Sequence, residues 1–151
     1  MIRCFILAVL FAALVAATVH AQRPTVEQLD AWRIEHRELL DAIRQVESGG
    51  DDRAVGDDGR AIGAYQIWSV YHQDATEWCK ALAGPWADCY GRVHAERIVV
   101  AYWHRYCRQA LRDGDLEVLA RVHNGGPAGH KKTATLKYWA KVQKALEAAG
   151  S

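Results

Sequence analysis

Glu47 is the residue whose type and position best suit catalysis. Leu40, Ile43 and Glu47 follow one another at intervals of three and four, so they lie on or beside one stripe of a helix. Gly49 and Gly50 end that helix, which places Glu47 in its last turn, at the negative end of the helix dipole. Partial burial and that negative end both favour the protonated acid, the form that can protonate the leaving oxygen of a glycosidic bond. Position alone nevertheless favours a solvated glutamate at a helix end, the commoner fate of this residue type.

The elements that position Glu47 are indicated by a helix cap and by glycines. Thr25 followed by Gln28 resembles a capping box, which predicts a helix from Thr25 that breaks near His36. A second helix then covers residues 39–48. Between two short stretches, 53–55 and 60–67, a turn rich in Gly and Asp predicts a small hairpin.

The rest of the chain reads as helical. Ser69 is expected to cap a helix that runs to about Leu82, and Asp115 opens a short helix that ends near Asn124. The longest periodic segment lies between these two helices, and its aromatic residues are assigned to the core: Tyr102, Trp103 and Tyr106. A last helix covers about 135–148. The predicted fold is therefore mainly α with a small β-hairpin.

The N-terminus and the charge balance narrow the class of protein. Residues 1–21 have a basic start, an apolar run and small residues before Gln22, which predicts a secretory signal peptide and a single catalytic domain over 22–151. A membrane anchor is the alternative, but the apolar run is short for a permanent span. Of 19 Lys and Arg only Arg3 lies in the signal, leaving 18 against 18 Asp and Glu. A mature charge near zero argues against binding to nucleic acid.

Three cysteines remain after the signal peptide. In an oxidising compartment, Cys79 and Cys89 are placed to close the short loop between them, which leaves Cys107 buried and unpaired. Neither a Cys-x-x-Cys pair nor a tight Cys and His spacing occurs in the sequence, so zinc is a weak alternative. We expect no metal and no cofactor.

Several motifs in order resemble the lysozyme superfamily. The start Glu47-Ser-Gly-Gly and the end Gly63-Ala-Tyr-Gln-Ile67 are similar to the soluble lytic transglycosylases of bacteria. The remainder resembles the invertebrate-type lysozymes, the family that includes destabilase. Three further segments carry that resemblance, from residues 71–75, 102–106 and 123–129: Tyr-His-Gln-Asp-Ala, Tyr-Trp-His-Arg-Tyr and His-Asn-Gly-Gly-Pro-Ala-Gly. The chain departs from that family in having lost most of its disulfides.

The resemblance implies Glu47 as the general acid, with an aspartate of the hairpin as its partner. That aspartate is Asp57 or Asp58, and the sequence does not decide between them, because either also suits a plain turn. The resemblance and the residue types further imply a sugar-binding cleft with five wall residues: Tyr65, Gln66, Tyr71, His123 and Asn124. Core packing is an equal alternative for Tyr65, and a helix stop is the alternative for the last two.

Three functions fit these residues. The first is a secreted peptidoglycan hydrolase, periplasmic or extracellular, that cleaves between N-acetylmuramic acid and N-acetylglucosamine without stable insertion into a membrane. The second is a lytic transglycosylase, which cuts the same bond with one glutamate. The third is a non-catalytic peptidoglycan-binding protein, against which the presence of Glu47 argues.

Overall fold

Two consecutive helices open the part of the chain that the structure, a computed structural model, describes, residues 23–150. They are α1 (Val26–Glu35) and α2 (Arg37–Ser48). The capping box is confirmed, because the Thr25 side chain and the Gln28 side chain each accept a hydrogen bond from the other residue's backbone N–H. Gly49 ends α2 in the left-handed conformation, with φ +65°. The predicted signal peptide lies outside the described residues.

A three-stranded antiparallel sheet follows α2. Its strands are β1 (Val55–Gly56), β2 (Ala61–Ile62) and β3 (Ile67–Trp68), in the order β1-β2-β3. The predicted hairpin is confirmed between β1 and β2, with a 3-10 helix at Asp57–Gly59 as its turn. The stretch expected to form one second strand is instead divided by a turn at residues 63–66. Gly63 makes that turn possible, because its φ is +73° and a Cβ there would lie 2.4 Å from the Cys89 carbonyl oxygen.

Five more helices complete the chain. They are α3 (Ser69–Trp78), α4 (Arg92–Tyr106), α5 (Arg108–Asp113), α6 (Leu116–Gly125) and α7 (Leu136–Ala149). Short 3-10 helices join them: Lys80–Leu82, Trp86–Tyr90, Gly129–Lys131 and Thr133–Thr135. Two details of α3 differ from the prediction, since its N-cap is Trp68 rather than Ser69 and it ends at Trp78 rather than near Leu82. The Asp115 cap of α6 is confirmed by its hydrogen bond from the Val118 N–H at 3.1 Å.

Helix α4 is the centre of the core. It packs against α1, α3 and α6, while α2 packs against α7. Its interior residues are almost completely buried because it is covered on several sides: Ile98, Val99, Val100, Ala101 and Trp103. The fold is thus mainly α with one small sheet, as the sequence predicted. Over residues 23–150, no helix has both the length and the apolar character that crossing a bilayer requires.

A buried carboxylate on α4 gathers three arginines. Glu96 is 1% exposed and is paired with Arg33 of α1, Arg37 of α2 and Arg92 of α4 at 2.6 to 2.9 Å. Burial by itself would raise the pKa of Glu96, but the hydrogen bonds from Arg37, Arg33 and Arg92 lower it to about 2. The hydroxyl of Tyr65 donates a fourth hydrogen bond to Glu96, at 2.9 Å.

This cluster corrects one assignment from the sequence. Tyr65 is fully buried and its hydroxyl faces Glu96, so its side chain belongs to the core and is not a wall of a sugar-binding cleft. The sequence could not show this, because the carboxylate that Tyr65 contacts lies 31 residues away.

The cysteines correct a second assignment. Cys79, Cys89 and Cys107 are all free thiols, so the predicted bridge between Cys79 and Cys89 is wrong. The Cys79 thiol instead donates to the Pro24 carbonyl oxygen, at 3.3 Å. Cys107 is unpaired as predicted, but it is only half-buried, because it lies at the junction of α4 and α5 rather than on the core face of a helix.

We expect Glu96→Gln to lower the free energy of unfolding by about 2 to 3 kcal/mol at pH 7, because three arginines lose their common carboxylate while remaining partly solvated. The pKa of Glu96 is lowered on folding, so its contribution is complete above pH 4.5 and is lost as the pH falls towards 2. The difference between variant and wild type should therefore shrink over that range. Urea denaturation at several pH values measures both effects.

The control is Asp41→Asn. Asp41 also pairs with Arg37 and Arg92, but its side chain is 47% exposed, so its loss should change stability by less than about 0.5 kcal/mol. Equal effects of the two substitutions would contradict a special role for the buried carboxylate.

Candidate active site

A cleft of about 330 Å³ lies between α2, the sheet and the end of α6. It brings together residues from five elements and from the turns between the strands. The described residues that line it are Glu47, Asp57, Gln66, Trp68, Val70, Tyr71, Asp74, Tyr102, His123, Asn124 and Gly126. Six of the sequence-predicted site residues are therefore close together, while Tyr65 and Asp58 are absent from this lining among the described residues.

Glu47 projects into the cleft from the last turn of α2. Its side chain is 18% exposed, and its Oε1 lies 3.5 Å from His123 Nε2. Tyr138 of α7 lies beside the same carboxylate: burial, and then the charge of Glu47, raise the pKa of Tyr138 well above its ordinary value. The Tyr138 hydroxyl therefore stays neutral, and among the described residues it makes no hydrogen bond of standard geometry.

His123 is held by a tyrosine on its other side. The Tyr71 hydroxyl lies 3.2 Å from His123 Nδ1, and the Tyr71 ring stacks on Tyr102 with centroids 3.7 Å apart and planes at 12°. Burial raises the pKa of Tyr71 well above its ordinary value, so the phenol remains protonated. A protonated phenol can donate to Nδ1, which leaves Nε2 to face Glu47. Tyr71 thus fixes the ring that lies against the candidate acid.

The two aspartates of the hairpin turn differ in where they lie. Both are exposed and both have positive φ, 50° for Asp57 and 54° for Asp58, which aspartate tolerates better than most residues. Only Asp57 lines the cleft. Its carbonyl oxygen accepts hydrogen bonds from the backbone and the side chain of Arg60, whose guanidinium lies 5.0 Å from the Trp68 ring centroid. Of the two aspartates, Asp57 is therefore the one that shares the cleft with Glu47.

Gln66 lines the cleft and also stabilises the sheet and its turns. Its Nε2 donates to the Gly63 carbonyl oxygen at 2.9 Å, and its φ is +48°. A Cβ at Gly56 would lie only 2.1 Å from Gln66 Oε1, so the glycine leaves the space that this side chain fills. Gln66 thus has a structural task besides that of a wall residue.

The segment after α6 positions His123 and Asn124. Asn124 lines the cleft and precedes the glycines in which α6 ends. A Cβ at Gly129 would lie 1.9 Å from the Arg121 carbonyl oxygen, so the chain can fold back against α6 only if residue 129 is glycine. The helix-stop interpretation and the site interpretation of this run therefore both apply.

Five lining residues were not predicted as site residues by the sequence analysis: Trp68, Val70, Asp74, Tyr102 and Gly126. Trp68 is 39% exposed, and an exposed tryptophan next to the buried Ile67 is a signal that could have been used. Tyr102 was correctly assigned to the core, since it is 3% exposed, but one edge of it also reaches the cleft. No sequence signal could have separated these two roles.

Known proteins are similar to this chain in sequence and in architecture. Residues 36–145 match the family described as Destabilase. Invertebrate-type lysozyme 6 of Caenorhabditis elegans is 38% identical over 111 residues, which are 68% of this chain and 80% of that protein. A lysozyme of Meretrix lusoria is 34% identical over 119 residues, 76% of this chain and 93% of its own. The crystal structure of Tapes japonica lysozyme is 30% identical, with a TM-score of 0.60 over 72% of this chain and 88% of that one.

A mainly helical fold with a small sheet, and a cleft that contains a half-buried glutamate, define a lysozyme-like glycoside hydrolase. This agrees with the names of the relatives and of the matching structure. The chain belongs to the Destabilase family, and its homologues are invertebrate-type lysozymes. The resemblance that the motifs indicated is thereby confirmed.

We expect Tyr71→Phe to lower kcat/KM on a soluble glycan substrate about 5- to 10-fold, the effect of losing one neutral hydrogen bond. The phenylalanine ring keeps the stacking on Tyr102 but cannot donate to His123, so the fold should persist while the imidazole loses its orientation. Steady-state kinetics and a thermal melt measure the two properties. Tyr106→Phe is the control, because Tyr106 also packs on Tyr102, with centroids 4.7 Å apart, but its hydroxyl interacts with Asp74 and not with His123. Unchanged kinetics in Tyr71→Phe would show that His123 needs no such support.

Proposed function

We propose that this protein is a secreted muramidase that hydrolyses the glycan strands of peptidoglycan, between N-acetylmuramic acid and N-acetylglucosamine. Glu47 is the general acid and Asp57 is its partner. The observation that carries the proposal is that these two carboxylates, from an α-helix end and from a hairpin turn, line the same cleft. Paired carboxylates on either side of the scissile bond are the usual apparatus of glycosidases.

Glu47 has surroundings that suit proton donation. The nearby phenols of Tyr71 and Tyr138 remain neutral and add no negative charge, and the imidazole of His123 lies on one side of the carboxyl group. In the reaction, Glu47 gives its proton to the leaving glycosidic oxygen as the bond to the sugar carbon breaks. The carboxylate of Asp57, exposed to water, stabilises the positive charge that develops on that carbon, or attacks it. A water molecule then bonds to the carbon and gives a proton back to Glu47, which completes the hydrolysis.

The remaining lining residues suit a carbohydrate. Trp68 presents a partly exposed ring on which a sugar face can stack. Gln66, Asp74 and Asn124 offer amide and carboxylate groups to sugar hydroxyls and acetamido groups. This mixture of one aromatic face and several polar groups is typical of sites that bind several sugar rings in a row.

Export is the part of the proposal that concerns residues 1–21. Their basic start and apolar run support a signal peptide, with the catalytic domain over 22–151 released into the periplasm or the medium. A mature charge near zero supports a substrate other than nucleic acid.

The lytic transglycosylase is the second candidate function, favoured by the Glu47-Ser-Gly-Gly motif. The position of Asp57 in the cleft supports hydrolysis instead. We expect digestion of purified peptidoglycan to release fragments with reducing N-acetylmuramic acid ends, which mass spectrometry after borohydride reduction identifies. Anhydro ends would show that the protein is a lytic transglycosylase. Uncut glycan strands would indicate a non-catalytic peptidoglycan-binding protein.

Substitution of the acidic residues tests the assignment of roles. We expect Glu47→Gln to lower kcat about 10²- to 10⁴-fold, because glutamine matches glutamate in shape but has no proton to give. Asp57→Asn should also lower kcat by more than tenfold. Asp58→Asn is the matched control: it removes the same charge from the same turn, one residue outside the described lining.

Peptidoglycan binding and circular dichroism should stay near wild type in all three variants. Near-normal turnover of Glu47→Gln would contradict the assignment of Glu47 as the general acid. A greater loss in Asp58→Asn than in Asp57→Asn would exchange the two aspartates.

A further inference from the structure

Three side chains from three separate elements meet beside the sheet, outside the cleft. They are His72 of α3, Cys89 of the 3-10 helix Trp86–Tyr90 and His94 of the first turn of α4. One ligand atom of each, an imidazole nitrogen or the thiol sulfur, lies within 4.8 Å of the other two. In a tetrahedral zinc site, with bonds of about 2.0 to 2.3 Å, neighbouring ligand atoms lie roughly 3.3 to 3.7 Å apart. Movements of about 1 Å in the side chains would therefore suffice to bring the three ligand atoms around one ion.

The polar atoms of this cluster lack the partners that buried groups normally have. His72 is 6% exposed and Cys89 is 1% exposed. The Nε2 atoms of His72 and His94 are both buried, and within residues 23–150 neither has a hydrogen-bond partner. Two orphaned imidazole nitrogens next to a buried thiol are unusual for a purely structural contact, because an unsatisfied buried polar group destabilises the fold. A bound ion would satisfy them together.

The chemistry of the three groups selects the kind of ion. The cluster offers two imidazole nitrogens, which bind metals in the neutral form, and one thiol, which binds a metal as the thiolate. One sulfur and two nitrogens suit Zn²⁺, whereas Mg²⁺ and Ca²⁺ require oxygen ligands.

We propose that His72, Cys89 and His94 bind a zinc ion with a structural role, and that the Cys89 thiol gives its proton to the solvent as the zinc–sulfur bond forms. Asp88, adjacent to Cys89 in the chain, supplies negative charge beside the cluster. The sequence analysis expected no metal because spacings of 17 and 5 residues form no zinc motif, and only the packing of three elements creates the site.

The location of the cluster indicates what the ion does. None of the three side chains is among the described residues that line the cleft, so the ion has no place in the glycosidic chemistry. His72 follows Tyr71 in α3, and the Cys89 carbonyl oxygen lies against Gly63 of the sheet turn. Trp86, in the same 3-10 helix as Cys89, donates from Nε1 to the Ile67 carbonyl oxygen at 2.9 Å. The ion would therefore join α3, α4 and the loop that supports the sheet.

The test uses the protein without its signal peptide, treated with a chelator and kept in a non-thiol reductant. Calorimetric titration with Zn²⁺ should show one ion bound per chain, and Tm should rise by about 5 to 10 °C when free zinc exceeds Kd about a hundredfold. Titration with Co²⁺ should give the thiolate-to-cobalt charge-transfer band and the intense visible bands of a tetrahedral site.

Two ligand variants and one control complete the experiment. Cys89→Ser should abolish the charge-transfer band, and His94→Gln, at a less buried position, should weaken zinc binding at least tenfold. Cys107→Ser removes a thiol outside the cluster and should behave like the wild type. Circular dichroism tests whether each metal-free variant is folded. If Cys89→Ser does not fold, the zinc affinity of His94→Gln alone tests the proposal. Absence of the band in the wild type, or equal zinc binding in wild type and His94→Gln, would overturn the proposal.

Discussion

The carboxylate of Glu96 is the interaction on which the arrangement of the site depends. It receives Arg33 of α1, Arg37 of α2 and Arg92 of its own helix, and the Tyr65 hydroxyl of the sheet turn as well. Helix α2 carries Glu47 at its far end, and Tyr65 directly precedes Gln66. A single buried charge on the central helix therefore fixes elements that form two sides of the cleft. Removing it would leave three cations without their common partner, which is the costly way to break a buried ion pair.

Two neutral phenols lie close to the candidate acid Glu47. Tyr71 and Tyr138 both remain protonated because they are buried and because Glu47 is close to them. Tyr71 holds His123, and His123 in turn lies against Glu47, so the acid is oriented by a series of contacts that starts from the Tyr71–Tyr102 stack. Aromatic packing in the core thereby helps to position the candidate acid, and Tyr102 contributes both to the core and to the cleft.

Local signals in the sequence predicted most of the fold. The Thr25 capping box, the left-handed Gly49 and the Asp115 cap all lie where the sequence placed them, because each depends on residues within one turn of a helix. The sequence analysis failed where the position of a residue depends on a contact with a residue far away in the chain. Tyr65 belongs to the core because its hydroxyl contacts Glu96, and the turn at Gly63 brings the backbone close to the Cys89 carbonyl oxygen, 26 residues away.

The candidate site was predicted unevenly for the same reason. Glu47 and His123 were predicted from motifs of this sequence that resemble the family. Asp57 and Asp58 are neighbours in one turn, and only the direction of the backbone through that turn, set by two positive φ angles, separates the residue that lines the cleft from the one that does not. The assumed disulfide failed because an oxidising compartment permits a bridge without bringing two thiols together.

The two sides of the cleft are held in different ways. Glu47 stands at the end of a helix that packs on α7 and is anchored to Glu96 through Arg37. The Asp57 turn belongs to a sheet whose strands have two residues each, so few ladder hydrogen bonds hold it. Side chains do that work instead: Gln66 fills the space above Gly56, and Arg60 joins the turn to the face of Trp68. Trp68 therefore contributes both to the lining of the cleft and, through Arg60, to the support of the Asp57 turn. The glutamate side of the cleft is held by helix packing and a buried ion pair, whereas the aspartate side depends chiefly on side-chain contacts around a short sheet.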